Sequence, residues 1–527
     1  MEPRGYVSIV LHAHLPFVRH PEYEEFLEED WLYEAITETY LPLIDRFTKA
    51  ADDGVPFRVA MVVTPTLAAM LSDDLLKARY SRELTKLIEL AEKEVARTAG
   101  DEATRRVAEH YRDRFLHFRW LYEERLGRDV LSGFRQLQDR GVLEILTCAA
   151  THGFLPLMQS NPEAVRAQIR VGVEEYRRHF GRSPLGIWLP ECGYYPGVEQ
   201  ILAEHGLRYF LVDTHGVLFA TPRPKYGPYA PVFTRTGVAA FARDAESSKQ
   251  VWSSEEGYPG DVSYREFYRD IGYDLDFDYI KAYVQPTGLR KNTGIKYHRI
   301  TGKTAHKEVY DRERALQRAA DHAGNFMFNR QKQVEWLNGQ LGRPPIIVAP
   351  YDAELYGHWW YEGPEFLDFF VRKSAYDQQT FKLVTPGDYL ALHPTQQQAD
   401  LSMSTWGDRG YADVWLNGGN DWMYRHLHVA EKRMTELANT YRDPTPLQRR
   451  ALNQAARELL LAESSDWAFI ITTGTMVDYA IRRFKTHDLR FTKLYEQLTS
   501  GWVDEEWLGT IEYKDNLFPF VDFAMYR

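Results

Sequence analysis

Cysteine is almost absent: Cys148 and Cys192 are the only two in 527 residues. Two thiols cannot build a disulfide scaffold, which points to a reducing compartment and a cytoplasmic protein. Long apolar runs are missing too. The first, Val7 to Leu11, is interrupted by His12 and is too short for a signal-peptide core or a membrane span, so no membrane partner is expected. Positive charge is in deficit, with 64 Lys and Arg against 75 Asp and Glu for a net −11. A polyanion such as nucleic acid is therefore repelled. There is no internal repeat and no low-complexity tract.

What remains is an ordinary globular composition, 44% apolar and 26% charged, on a chain long enough for more than one domain. Aromatic residues make up 14%, including 13 Trp and 33 Tyr. Flat uncharged rings suit the faces of a neutral polysaccharide, although any one of them also suits a core. The central stretch runs from Ile346 to Gly363. Ile346-Ile347-Val348-Ala349 is short and β-branched enough for a buried parallel strand. It breaks at Pro350 into Tyr351-Asp352-Ala353-Glu354, with His358, Trp359, Trp360 and Tyr361 in the next turn. Leu185 to Leu189 leads in the same way into Pro190-Glu191-Cys192. Carboxylates just past strand ends, walled by aromatics, sit where α/β folds place their chemistry.

Taken in order, the chain alternates strand, loop and helix. Tyr6–Leu11 delivers His12 and His14, and Phe57–Val63 ends at Thr64-Pro65. Val142–Leu146 leads to His152, and Tyr209–Val212 leads to Asp213 and His215. This repetition argues for a parallel α/β barrel over about 1–400. Between Leu84 and Leu126 apolar residues recur three and four apart with a break near Gly100, which predicts an inserted helical subdomain at about 70–128. Asn161, Pro162 and Gly181 punctuate a further helix. From Thr221 to Tyr297 periodicity fails, and the span reads as a long aromatic lid or binding wall that includes Trp252 and Tyr258. A long helix, roughly Lys307 to Leu341, follows. Beyond about 400 the spacing is helical, over Trp422–Tyr441 and over Leu447–Ala462 after Thr445-Pro446, which predicts a helical C-terminal domain over 401–527.

Two carboxylates at one barrel mouth suggest glycoside chemistry, which needs a general acid and a second carboxylate across the sugar. Glu191 and Asp352 are the pair, and only folding can bring them together. His12 and His14 support a rival. Residues two apart share a strand face, so with His152, His215 and Asp352 they suggest the metal site of an amidohydrolase or polysaccharide deacetylase. A glycosidase uses the same histidines to bind sugar hydroxyls. Asp466, after Ser464-Ser465 and before Trp467, is a third acid, or a local cap. Trp406 and Trp415 lie in a Gly-rich, weakly periodic segment, where core packing is a poorer explanation than on a helix.

Five stretches together resemble glycoside hydrolase family 57, most closely its 1,4-α-glucan branching members: HAHLP at 12–16, TCAATHGFLP at 147–156, WLPECGY at 188–194, APYDAELYGHWW at 349–360 and ESSDWAF at 463–469. The resemblance implies an incomplete (β/α)7 barrel with an inserted helical subdomain and an all-helical C-terminal domain. It implies Glu191 as nucleophile and Asp352 as general acid/base, with no metal and no cofactor. His12, His14, His152 and Asp466 become subsite residues, joined as substrate-binding positions by the aromatics Trp31, Trp252, Tyr258, Trp406, Trp415 and Trp467. The implied activity is retaining transglycosylation on α-1,4-glucan donor and acceptor chains, forming α-1,6 branches. 4-α-Glucanotransferase and α-amylase activities of the same family, and a silent glucan-binding protein, are the alternatives.

Overall fold

The computed structural model describes residues 2–252, 257–285 and 287–527. Seven parallel strands curl into an incomplete barrel: β1 (Gly5–Ala13), β2 (Val59–Val63), β3 (Leu143–Cys148), β4 (Gly186–Trp188), β5 (Tyr209–Val212), β6 (Ala239–Ala242) and β7 (Ile346–Asp352). Their spatial order is β6-β5-β4-β3-β2-β1-β7, so β6 and β7 face each other across the gap. One hydrogen bond crosses there, from the Asp244 amide to the Val348 carbonyl at 2.8 Å.

Strand alternation sorts the side chains. Tyr6 and Val10 of β1, Ala60 and Val62 of β2, Leu146 and Cys148 of β3, Trp188 of β4, Tyr209 and Leu211 of β5, Phe241 of β6, and Ile346 and Val348 of β7 fill the barrel interior as one buried cluster. The intervening residues, such as Val7, Ile9 and Leu11, pack outward on the helices. Both cysteines are free and buried in this interior.

Two sequence expectations about strands need correction. β7 does not stop at Pro350 but continues to Asp352. Proline is tolerated because β7 pairs with β1 on one side only, and an edge strand loses no ladder bond to a missing N–H. Within the span expected to lack structure, Ala239–Ala242 is a full barrel strand paired with β5. Its Ala-Ala-Phe-Ala sequence lacks the β-branched signature: Ala239 and Phe241 face inward, Phe241 edge-on to Tyr209 and Tyr389, while Ala240 and Ala242 pack outward. The lid segment 253–256 lies outside the described residues.

Helices Asp74–Arg97 and Glu102–Arg119 form an antiparallel pair between β2 and β3, each opened by an aspartate cap. After the barrel come Trp422–Thr440, Pro446–Ala462, Ser465–Thr473, Val477–Ser500 and Glu505–Lys514. Thr445 and Gln448 complete a reciprocal capping box at the second of these. Among the described residues no helix is long and apolar enough to cross a membrane.

Candidate active site

The barrel parity carries His12, Trp188 and Asp352 inward at the C-terminal ends of their strands. The β1–β7 register sets His12 directly beside Asp352, and His12 Nδ1 lies 3.1 Å from Asp352 Oδ1. Trp188 stacks flat on the His12 ring at 4.5 Å. Past β4 the chain turns sharply, and Glu191 and Cys192 take left-handed backbone angles with φ of 61° and 50°. His152 does the same after β3, with φ of 59°. Non-glycine residues hold such angles only where surrounding contacts enforce them, and such strain gathers at functional sites.

Those contacts come from distant parts of the chain. Trp406 clamps Glu191 twice: its backbone amide donates to the Glu191 carbonyl at 3.1 Å, and its indole Nε1–H donates to Glu191 Oε2 at 2.8 Å. The Ser465 hydroxyl donates to Glu191 Oε1 at 3.1 Å and lies 2.8 Å from His152 Nδ1. The Ser465 amide also donates to the His152 carbonyl at 3.0 Å, which pins the start of helix Ser465–Thr473 to the β3 loop. Asp352 and Glu191 are thus linked around one rim through His12 and His152, whose rings are 5.2 Å apart, with His152 Nδ1 3.7 Å from Glu191 Oε1.

The electrostatics split these groups. Burial pushes the Glu191 carboxyl up to about 7; the Asp466 and Asp352 charges add to this, and the Trp406 hydrogen bond opposes it. Burial pulls His14 down, but the Asp466 carboxylate 3.1 Å from its Nε2 outweighs this, and the imidazole ends above its usual value. Asp466 is driven up by burial and more than offset by His14, so it ends below the carboxylate range. His14 and Asp466 therefore favour each other's charged forms across a partly buried contact. Burial, followed by the neighbouring His14 and His12, holds His152 far below the usual imidazole range, and it stays neutral.

Sequence reasoning overlooked Glu354. It accepts from the Tyr40 hydroxyl at 2.5 Å and from the His14 amide at 3.2 Å, and burial lifts it to about 7. Its position two residues after Asp352 in a turn was the available signal. Ser465 was overlooked as well, although it adjoins Asp466.

The aromatic positions divide. Trp406 and Trp252 meet edge to face at 6.1 Å beside an open cavity of about 360 Å³ lined by Asp213, Arg243, Ser248 and Trp252. Trp31 lies edge-on to Tyr479 at 5.8 Å. Three others are not brought to the cluster. Tyr258 packs on His322 and Phe366 and donates to Asn325 at 2.7 Å, against helix Arg312–Leu341. Trp415 is 1% exposed and stacked on Phe154 at 4.5 Å. Trp467 is fully buried and donates to the Leu461 carbonyl. A ring with no exposed face cannot stack on a sugar, so Trp415 and Trp467 are core residues. His215 bonds to Asp213, which lines the open cavity, and to the Gly410 carbonyl rather than to either carboxylate of the pair.

At this rim two donor sets among the described residues are compact enough for a metal: His12, Cys148 and His152, and His14, His152 and Asp466. Their chemistry fits poorly. Burial raises the Cys148 thiol well above its usual value, whereas a metal takes a thiolate. In the second set His14 Nε2 already faces Asp466 at 3.1 Å, and this carboxylate outweighs burial and raises the imidazole.

An incomplete parallel barrel with an acid pair at its mouth, tied by histidines and tryptophans, defines a carbohydrate-active α/β enzyme. Residues 8–328 match the model of glycosyl hydrolase family 57, and residues 426–526 match that of the 1,4-alpha-glucan branching enzyme C-terminal region. The chain belongs to glycosyl hydrolase family 57. It is 35% identical to a 1,4-alpha-glucan branching enzyme of Thermococcus kodakarensis, over 98% of this chain and 77% of that protein. A branching enzyme structure from Pyrococcus horikoshii superposes with a TM-score of 0.89 at 34% identity, over 99% and 97% of the two chains. An α-amylase structure from Thermotoga maritima superposes with a TM-score of 0.93 at 48% identity, over 99% of both.

Proposed function

We propose that the protein is a 1,4-α-glucan branching enzyme working by a retaining mechanism. The carrying observation is the joint holding of Glu191 and Asp352 on one barrel rim by His12, His152, Trp406 and Ser465. Glu191 attacks the anomeric carbon of an α-1,4-linked glucan while Asp352 protonates the leaving oxygen, forming a covalent glucosyl-enzyme. Asp352, now a base, takes the proton from a 6-hydroxyl of an acceptor chain, the new glycosidic bond forms, and Glu191 is released. His12, His14, His152 and Asp466 bind the sugar at the cleavage point. Trp252 and Trp406, beside the open cavity, form the acceptor wall, where excluding water favours transfer over hydrolysis.

The same reading assigns the catalytic barrel to 1–400, the inserted helical subdomain to 70–128 and the helical C-terminal domain to 401–527. The donor and acceptor are both α-glucan chains, and the place of action is the cytoplasm. α-Amylase activity is the second reading, favoured by the 48% identity to the Thermotoga maritima structure. Incubation with amylose followed by proton NMR separates the two. New α-1,6 signals without a matching rise in reducing ends are expected, whereas reducing ends without α-1,6 signals establish the hydrolase. Chelation is expected to leave the rate unchanged, and its loss on chelation supports a metal enzyme instead.

A further inference from the structure

Away from the catalytic rim, a cavity of about 260 Å³ opens between the segment after β1 and the C-terminal helices. Its wall carries five cationic side chains, Arg19, Arg482, Arg483, Arg490 and Lys514, against two carboxylates, Glu22 and Asp515. This excess is local, because the whole chain carries −11.

Not all of these cations are neutralised. Arg19 pairs with Asp73 at 2.9 Å, Lys514 lies 3.4 Å from Glu22, and Arg490 pairs with Asp515. Arg483 is different. It is 8% exposed, yet among the described residues no carboxylate lies within 4 Å of its guanidinium. Its N–H groups donate instead to neutral partners, the Tyr479 hydroxyl at 2.6 Å and His487 Nε2 at 3.2 and 3.3 Å. His487 accepts there because its Nδ1–H is committed to Glu458 at 2.7 Å. Arg482, exposed on the same helix, makes no hydrogen bond or contact ion pair among the described residues, and its charge is felt by Glu28 at longer range. The carboxylates that feel the Arg483 charge, Glu28, Glu458 and Asp515, all lie beyond 4 Å, so a closer anion is still favoured.

His20 reports the resulting field. Burial, and then Arg483, His487, Arg79 and Arg482, drive its imidazole down to about 2. Glu458, His487 and Asp515 have donor atoms close enough together for a metal. Arg490 already faces both carboxylates, so that cluster forms the neutralised floor of the cavity rather than a cation site.

We infer that this cavity is a binding site for a small phosphorylated ligand, with the phosphate held by Arg482 and Arg483. Arginine presents a planar fork that matches phosphate oxygens two at a time. The volume, below the roughly 300–1,000 Å³ of ordinary ligand pockets, admits a phosphate alone or a hexose phosphate but not a polymer. Tyr23, 53% exposed at the rim and 5.1 Å from the Phe26 ring, offers a face for a sugar ring. The site stands apart from the glucan cleft and packs on aromatic residues beneath it. Tyr479 contacts Trp31, and the Arg483 guanidinium lies over the Trp467 ring at 5.0 Å.

The test is calorimetric titration of the full-length protein with glucose 6-phosphate, inorganic phosphate and glucose, on wild type, Arg482→Glu and Arg482→Lys. Arg482 is exposed, so the variants are expected to fold, and unchanged melting temperatures verify this. Wild type is expected to bind a phosphate ligand saturably with one site per chain. Arg482→Glu should weaken it by at least about tenfold, the effect of losing one charge-assisted contact, while Arg482→Lys retains most of the affinity. Tighter binding of glucose 6-phosphate than of phosphate identifies a sugar phosphate, and equal binding identifies phosphate itself. Glucose, reporting the glucan cleft, should respond equally in all three proteins. No saturation by either phosphate ligand at roughly 10 mM, or an affinity unmoved by Arg482→Glu, overturns the inference.

Discussion

At the residue scale the decisive group is Glu191, whose carboxyl is lifted from an ordinary 4.5 to about 7, chiefly by burial. The folded state therefore holds this proton more tightly than the unfolded chain. Its contribution to stability is present at acidic pH and lost as pH rises from about 4.5 to 7. Glu191→Gln is expected to abolish transfer and hydrolysis while keeping glucan binding. It should also raise stability at pH 8 by up to about 3 kcal/mol, with little change at pH 4. Thermal melts at the two pH values check this, and a variant less stable at pH 8 contradicts it. Trp406 acts on the same proton from the other side, since its indole N–H favours the ionised carboxylate. Trp406→Phe should move the acidic limb of the kcat/KM profile upward by about one to two pH units, the worth of a hydrogen bond to a charged group. An unmoved limb removes Trp406 from that role. Histidines 12 and 14 were legible from their spacing and strand end. The burial of Trp415 and Trp467 was not, because a tryptophan in a loop or helix start carries no mark of which neighbour covers it.

At the scale of elements, close approach sets the geometry. Helix Pro162–Phe180 packs so tightly on β3 that a Cβ at Gly172 would lie 2.1 Å from the Cys148 carbonyl oxygen. Gly172→Ala must push the helix away from the strand that leads into His152. A loss of about 2–4 kcal/mol is expected, read as a lowered melting temperature. Gly100→Ala is the control, since nothing lies within 4 Å of its Cβ, and it should leave the melt unchanged. The ends of this helix were legible in advance. Asn161 accepts from the Ala164 amide, Pro162 opens the first turn, and Gly181 closes it with φ of 66°. Local chemistry suffices for such ends. β6 escaped because Ala-Ala-Phe-Ala carries no β-branched signature, and only its pairing with β5 makes it a strand.

At the scale of the whole molecule, the site depends on groups far apart in sequence. His14 and Asp466 are 452 residues apart and meet at 3.1 Å in one partly buried contact. The raised His14 imidazole contributes stability below its ordinary value that is lost as pH rises through its folded value. The lowered Asp466 contributes above its ordinary value and loses this as pH falls. Between the ordinary values of 3.8 and 6.5, where both terms are present, Asp466→Asn is expected to cost roughly 3 kcal/mol. The cost should shrink above the His14 titration. Urea unfolding across that range is the check, and a pH-independent cost argues against the charge pair. The segment 402–406 and the start of helix Ser465–Thr473 thus complete the barrel mouth rather than decorate it.

The sequence alone determined the repeating strand, loop and helix, the punctuated helix ends, and the acids and histidines at strand ends, because each follows from local periodicity and backbone preference. It could not decide how Glu191 would be gripped, which tryptophans keep an exposed face, or that arginines near the C-terminus would meet the loop after β1. Those follow from contacts between residues hundreds of positions apart, which exist only once the barrel has curled and the C-terminal helices have closed over its rim.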